Sequence, residues 1–165
     1  MFEKADLTNF SRPDRYDLIL SVDVMEHILE DDKVFRGFYD SLTQDGLLLV
    51  STPSDQGGSD VHDHDEGSFI DEHVRDGYNI LGICEQLKAA GFTRTEARYS
   101  YGTPGKIAWR LSMKYPIQML GVSKVFFIFL PVYYLVTFPF AYILNWFDLH
   151  NRHRTGTGLI VKAWK

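Results

Sequence analysis

The amino-acid sequence predicts an α/β fold: a parallel strand–helix–strand core, with a hydrophobic helical insert before the last strand. Three observations carry this reading. Leu18–Leu20 and Leu47–Val50 are unbroken apolar runs, the pattern of parallel strands covered on both faces. Between them Val34, Phe35, Phe38, Tyr39 and Leu42 recur at helical spacing. Far downstream, Val125 to Leu144 holds twenty residues without a charge.

Taken in order, Asp31 and Asp32 stand where a helix N-terminus favours negative charge, and Asp45-Gly46 is the expected helix stop. Strands of this kind gather ligands at their carboxyl ends, here the Asp23–His27 turn and the Thr52-Pro53 loop. A glycine- and charge-rich loop follows Pro53. Asp76 or Asn79 caps the next helix, which presents Ile80, Ile83, Leu87 and Ala90 on one face and stops at Gly91. Thr93–Tyr101 is a strand nearer the sheet edge, and Gly156–Lys165 is the last strand. The domains expected are 1–102 (α/β), 103–155 (insert) and 156–165 (final strand of the same sheet).

A chain of 165 residues holds one respectable core. Its single cysteine, Cys84, precludes an internal disulfide, fits a reducing compartment and reads as a core thiol. Residues 1–15 are polar and charged and carry no secretory signal, so a cytoplasmic location is expected. The net charge of −5 conceals a split. Residues 1–102 carry nine Lys/Arg against 21 Asp/Glu, and residues 103–165 carry eight against Asp148 alone. Nucleic acid is not favoured as a partner: the acidic part repels phosphate, and the basic part is greasy rather than a polar groove.

Within the insert, Lys106, Arg110 and Lys114 stand four apart, aligned on one face of a helix. Pro131 and Pro139 would kink the charge-free run, and its tyrosines with Trp146 suit an interface. Three readings stay open: a lid or homodimer surface, a peripheral membrane patch over 106–147 on the inner face, and a true span. Asn151–Arg154 reads as a basic surface turn or an anion contact.

Asp23, Glu26 and His27 fall at i, i+3 and i+4, so one helical turn would bring them to one side. Such a trio suits acid–base chemistry, with His27 as general base, or a divalent cation.

The order of these pieces resembles the second half of a class I S-adenosylmethionine-dependent methyltransferase. The carrying residues are Tyr16–Ile19, Val24–His27, Asp45-Gly46, Leu47–Pro53, and Leu87–Phe92 before the sixth strand. The resemblance covers about Ala5 to Tyr101 and resumes at Leu159–Trp164. It implies a partial Rossmann-like methyltransferase sheet, a parallel βαβ core closed by a C-terminal antiparallel strand pair, with S-adenosylmethionine held by Asp6, Leu7, Ser21 and Val22. It also implies that the family's glycine-rich loop is absent, so that the methyltransferase is incomplete at its N-terminus. His73, Arg75 and Tyr78 match a substrate-side element. In metal-dependent relatives the acid-x-x-Glu-His pattern looks like a Mg²⁺ or Mn²⁺ site, which here would be Asp23, Glu26, His27 and His62. The activity expected is methylation, by oxygen attack, of a small hydrophobic or membrane-associated acceptor. The alternative is a non-catalytic or split module that dimerises or docks through an unprotected edge at Leu18–Ser21.

Overall fold

The computed structural model describes residues 3–56 and 74–165; His62, His64 and His73 lie outside them. It divides into two compact units, residues 1–99 with 157–165, and residues 100–156.

The first unit is built on a four-stranded sheet. Its strands are β1 (Tyr16–Val22), β2 (Leu42–Pro53), β3 (Arg94–Ser100) and β4 (Gly158–Trp164), ordered β1-β2-β4-β3. β1 and β2 are parallel, with Leu18 opposite Leu47 and Val22 opposite Ser51. β4 runs antiparallel to β2, from Leu47 opposite Trp164 to Pro53 opposite Gly158. The last strand therefore lies inside the sheet, and β3 forms an edge. Helices α1 (Asp31–Ser41) and α2 (Ile80–Ala90) pack on each other. Val34, Phe35 and Phe38 of α1 share one buried cluster with Ile83 and Leu87 of α2, Leu48 and Val50 of β2, and Leu159 and Val161 of β4.

Two sequence expectations are corrected. Asp45-Gly46 does not stop α1, which ends where Leu42 turns extended and is wholly buried. Asp45 (φ 65°) and Gly46 instead sit in a bulge: β2 places residues 43–46 between the pairs Tyr16–Leu42 and Leu18–Leu47, where β1 places Asp17 alone. Lys165 secures this bulge, its N–H donating to Gly46 O (3.1 Å) and its Nζ to Leu42 O (2.7 Å). Nor is β1 covered on both faces. Ile19 and Ser21 face the core, but Leu18, Leu20 and Val22, on the other face, are exposed; β1 is also an edge strand among the described residues.

Asn79 is the cap of α2, its Oδ1 accepting from Leu81 N (3.0 Å) and Gly82 N (3.4 Å). Gly91 ends the helix at φ 118°, and a Cβ there would meet the Tyr39 ring at 2.9 Å. Cys84 of α2 is half-buried rather than a core thiol.

The second unit is helical. α3 (Thr103–Trp109), a π-helical turn (Arg110–Lys114) and α4 (Tyr115–Val122) run without a break. A 3₁₀ turn (Lys124–Ile128) leads into α5 (Leu130–His150), which packs on α3 and the π turn. The charge-free run is thus split between the turn and α5, and Pro131 begins the helix while Pro139 lies inside it. The π turn sets Lys114 off the common helical face expected for Lys106, Arg110 and Lys114, since its winding is wider than 3.6 residues. Asp148 is buried and joins the two ends of the unit. Its carboxylate accepts from Tyr101 N (3.0 Å) and Gly105 N (3.0 Å) and pairs with His153 Nε2 (2.9 Å). In the Asn151–Arg154 turn, His153 therefore points inward while Arg152 and Arg154 are exposed.

Replacing Gly91 by Ala forces a side chain into a left-handed backbone and into Tyr39. We expect a loss of about 1–3 kcal/mol, measured as a lower denaturant midpoint, with Gly82→Ala as the neutral control because its nearest neighbour lies at 3.8 Å.

Candidate active-site corner

The carboxyl ends of β1 and β2 are joined by short-range geometry. Asp23 adopts φ 49°, a left-handed conformation that Asp tolerates, and its N–H donates to Ser51 O (2.9 Å). The chain then enters a 3₁₀ turn, Met25–His27. Asp23, Glu26 and His27 consequently do not share one face of an α-helical turn. Glu26 is 1% exposed and accepts from Thr52 Oγ1 at 3.1 Å, whereas Asp23 and His27 are exposed. No group of three His, Cys, Asp or Glu among the described residues could hold a metal. The proposed ligand set is corrected accordingly: the αL residue at 23 and the inward turn of Glu26 pull its members apart, and His62 lies outside the described residues.

A third segment, residues 74–79, closes over the corner. Val74 N donates to Glu26 O (3.1 Å), and Tyr78 N donates to Pro53 O (3.0 Å). Gly77 permits this approach at φ 107°, where a Cβ would lie 2.5 Å from the carbonyl carbon of Ser54. Arg75 and Tyr78 then reach Asp31, the first residue of α1. Arg75 Nη1 donates to Asp31 Oδ2 at 2.6 Å, Tyr78 Oη at 2.7 Å, and Gln86 Nε2 approaches it at 3.4 Å. Arg75 Nη2 also donates to Ile28 O (3.0 Å), and its guanidinium stacks 4.7 Å over the Tyr78 ring. Tyr78 is 4% exposed; burial, reinforced by the Asp31 carboxylate, pushes its phenol far above the usual range. Arg75 and Tyr78 are therefore braces of the corner rather than open substrate contacts. Asp31 is the residue that sequence reasoning passed over, having credited it only with favouring a helix N-terminus.

The cofactor candidates separate as well. Leu7 and Ser21 line an apolar groove of about 310 Å³ along β1, with Phe10, Leu18, Leu20 and Val24. Ser21 Oγ is buried and lacks a hydrogen-bond partner among the described residues. Asp6 is exposed and turned to its own 3₁₀ turn, accepting from Thr8 N (3.0 Å), Thr8 Oγ1 (2.8 Å) and Asn9 Nδ2 (2.9 Å). Thr8, then Asn9, hold its carboxyl below the usual range. Val22 is exposed on the opposite face of β1 from Ser21. An apolar groove with one orphaned hydroxyl fits a flat heteroaromatic ring such as a nucleobase.

The brace yields two expectations. Arg75→Met should destabilise the first unit by about 2–4 kcal/mol, because it leaves a buried carboxylate short of its cation. Because Tyr78 keeps its proton in the folded state, its contribution is complete below about pH 10 and declines as pH rises beyond the unfolded phenol's pKa. Denaturant midpoints measured from pH 8 to 11 should therefore fall at the alkaline end, and less steeply in Tyr78→Phe.

No family model matches the sequence. The chain is similar to phosphoethanolamine N-methyltransferase 1 of Zea mays, 29% identical over 97 residues, which are 58% of this chain and 19% of the relative. Among solved structures it is similar to phosphoethanolamine N-methyltransferase 2 of Haemonchus contortus, determined with phosphomonomethylethanolamine and S-adenosylhomocysteine. The TM-score is 0.56 at 18% identity, over 97% of this chain and 36% of that one. It is also similar to an S-adenosylmethionine-dependent methyltransferase of Archaeoglobus fulgidus, with a TM-score of 0.54 at 14% identity over 99% of this chain and 66% of that one. The chain thus spans about a fifth of the curated relative and about a third of the Haemonchus enzyme. With its antiparallel β4 set between β2 and β3, the sheet is a portion of the class I S-adenosylmethionine-dependent methyltransferase fold.

Proposed function

We propose that this chain works in an S-adenosylmethionine-dependent methyltransferase acting on a small-molecule acceptor, with a hydroxyl on a hydrophobic or membrane-associated compound as the first acceptor class. The observation that carries the reading is the corner itself: the turn after β1, the end of β2 and residues 74–79 meet at the carboxyl ends of two parallel strands, in a sheet like that of solved methyltransferases. The cofactor, when bound, supplies a methyl group made electrophilic by its sulfonium.

The residues of this chain then have distinct tasks. Leu7, Phe10 and Val24 would shield an adenine in the groove from water, and Ser21 Oγ would offer it a hydrogen bond. The Asp31 brace fixes the corner, which matters because methyl transfer needs in-line placement more than it needs chemical assistance. His27, exposed on the turn, would serve as the general base that takes the proton from the acceptor hydroxyl. Glu26 is excluded from that role by its burial against Thr52.

The phosphoethanolamine methyltransferases named above support a second acceptor class, an amine on a phosphorylated small molecule. The open edge of β1 supports a second reading of the chain, as a module that pairs with another polypeptide there; Leu20, 61% exposed, would be covered in such a pair.

Calorimetric titration with S-adenosylhomocysteine tests the first reading. Saturable heat is expected, weakened by Ser21→Phe, and silence at millimolar ligand removes cofactor binding from this chain. Methyl transfer from radiolabelled cofactor into hydroxyl and amine acceptors separates the two classes. His27→Asn should lower transfer to a hydroxyl about 10²-fold or more while sparing an amine that is already deprotonated. An undiminished hydroxyl rate would exclude His27 as the base.

A further inference from the structure

The second unit is built with its polarity reversed. Along α5 the residues turned inward are Leu130, Tyr133, Tyr134, Thr137, Ala141, Leu144 and Asp148, a seam spaced mainly by three and four that includes the polar side chains of Tyr133, Tyr134, Thr137 and Asp148, while Tyr142, Asn145 and His150 are exposed. Outward stand Leu135, Val136, Phe138, Phe140, Ile143 and Phe147, each at least 47% exposed. At 3.6 residues per turn the exposed side covers roughly 200° of the helix. A water-facing helix shows the opposite arrangement.

The backbone points the same way. In the π turn, Tyr115 N donates to Arg110 O rather than to Leu111 O. Pro116 has no N–H, so neither Leu111 O nor Ser112 O receives a donor from it. Both carbonyls are satisfied from within the unit, by Tyr133 Oη (2.7 Å) and Tyr134 Oη (3.0 Å). Water would serve such carbonyls on an aqueous surface, whereas in a lipid environment protein groups must do so.

Charge selects the kind of surface. Residues 100–156 carry six Lys/Arg against Asp148 alone, and that carboxylate is committed to Tyr101, Gly105 and His153. Lys106, Arg152 and Arg154 fall close to the Gly102–His153 contact at the base, and Lys124 lies on the turn beside exposed Val125, Phe127 and Ile128.

We propose that residues 103–150 form an interfacial hairpin that docks this protein on an anionic lipid bilayer, with cations at both ends in the headgroups and the apolar surface between them in the acyl boundary. α5 is long and apolar enough to cross a membrane by length and composition. The base contact nevertheless returns the chain to the side from which it left, so α5 alone does not span. Full-depth insertion of both arms would also carry Arg110 and Lys114 to roughly 10 and 16 Å above the base at 1.5 Å per residue, where each cation costs about 2.5–3.5 kcal/mol or more. A second copy of the chain is the weaker occupant, because one packed interface covers a single helix face rather than this arc. The proposal stands independently of the methyltransferase reading.

The test is flotation of the full chain with vesicles of phosphatidylcholine alone and with one quarter phosphatidylglycerol, at low and high salt. Binding is expected on the anionic vesicles, falling about fivefold for each cation neutralised in the series Lys106→Gln, Lys124→Gln, Arg152→Gln and Arg154→Gln. Phe127→Ser with Ile128→Ser should weaken it at both salt concentrations. In a Trp164→Phe background, brominated lipid should quench the fluorescence of Trp109 and Trp146, which needs no disruptive variant. Absence of flotation with either vesicle would overturn the proposal. So would a stable dimer in sedimentation equilibrium whose fluorescence brominated lipid leaves unquenched.

Discussion

The carboxylate of Asp31 is the point on which the candidate site depends. It sits at the start of α1 yet is satisfied from 44 to 55 residues away, by Arg75, Tyr78 and Gln86. A buried carboxylate without such donors would be expelled or protonated. With them, it ties α1, α2 and the segment over the corner into one body. The turn after β1 inherits its shape from that tie, since Arg75 also holds Ile28 O and Tyr78 lies within 3.2 Å of Met25 O. Whatever chemistry His27 performs rests on a turn kept in place from behind.

The parts of the fold that were legible in the sequence are those governed by local rules. The runs Leu18–Leu20 and Leu47–Val50 became parallel partners in β1 and β2, and Asn79 and Gly91 bounded α2 as their side-chain chemistry requires. Asp45-Gly46 misled because the same dipeptide serves a helix stop and a strand bulge equally well; burying Leu42 opposite Tyr16 decided between them. The trio at 23, 26 and 27 misled for a similar reason. Spacing defines a shared face only if the helix exists, and Asp23 at φ 49° prevents it. The Asp31 brace was beyond pattern reading, because its members come from three separate stretches of the chain.

The helical unit shows the converse. Its apolar run and its prolines were plain in the sequence, but their arrangement was not. The π turn and Pro116 together account for two orphaned carbonyls and for the two tyrosine hydroxyls that meet them. Of the tyrosines suited by composition to a membrane interface, Tyr133 and Tyr134 are turned inward and Tyr142 faces out with phenylalanine and leucine. Composition located the unusual segment, and only the seam revealed which way round it is built.

β3 and β4 are neighbours in the sheet, although residues 100–156 separate them in the chain. An excursion between adjacent strands begins and ends at almost the same place, so neither its length nor its character disturbs strand order. Shortened to a tight reversal, it would leave the register of β2 with β4 untouched; exchanged for another cassette, it would alter what the protein adheres to without altering the frame that carries it. Such a joint lets attachment and chemistry diversify on separate schedules.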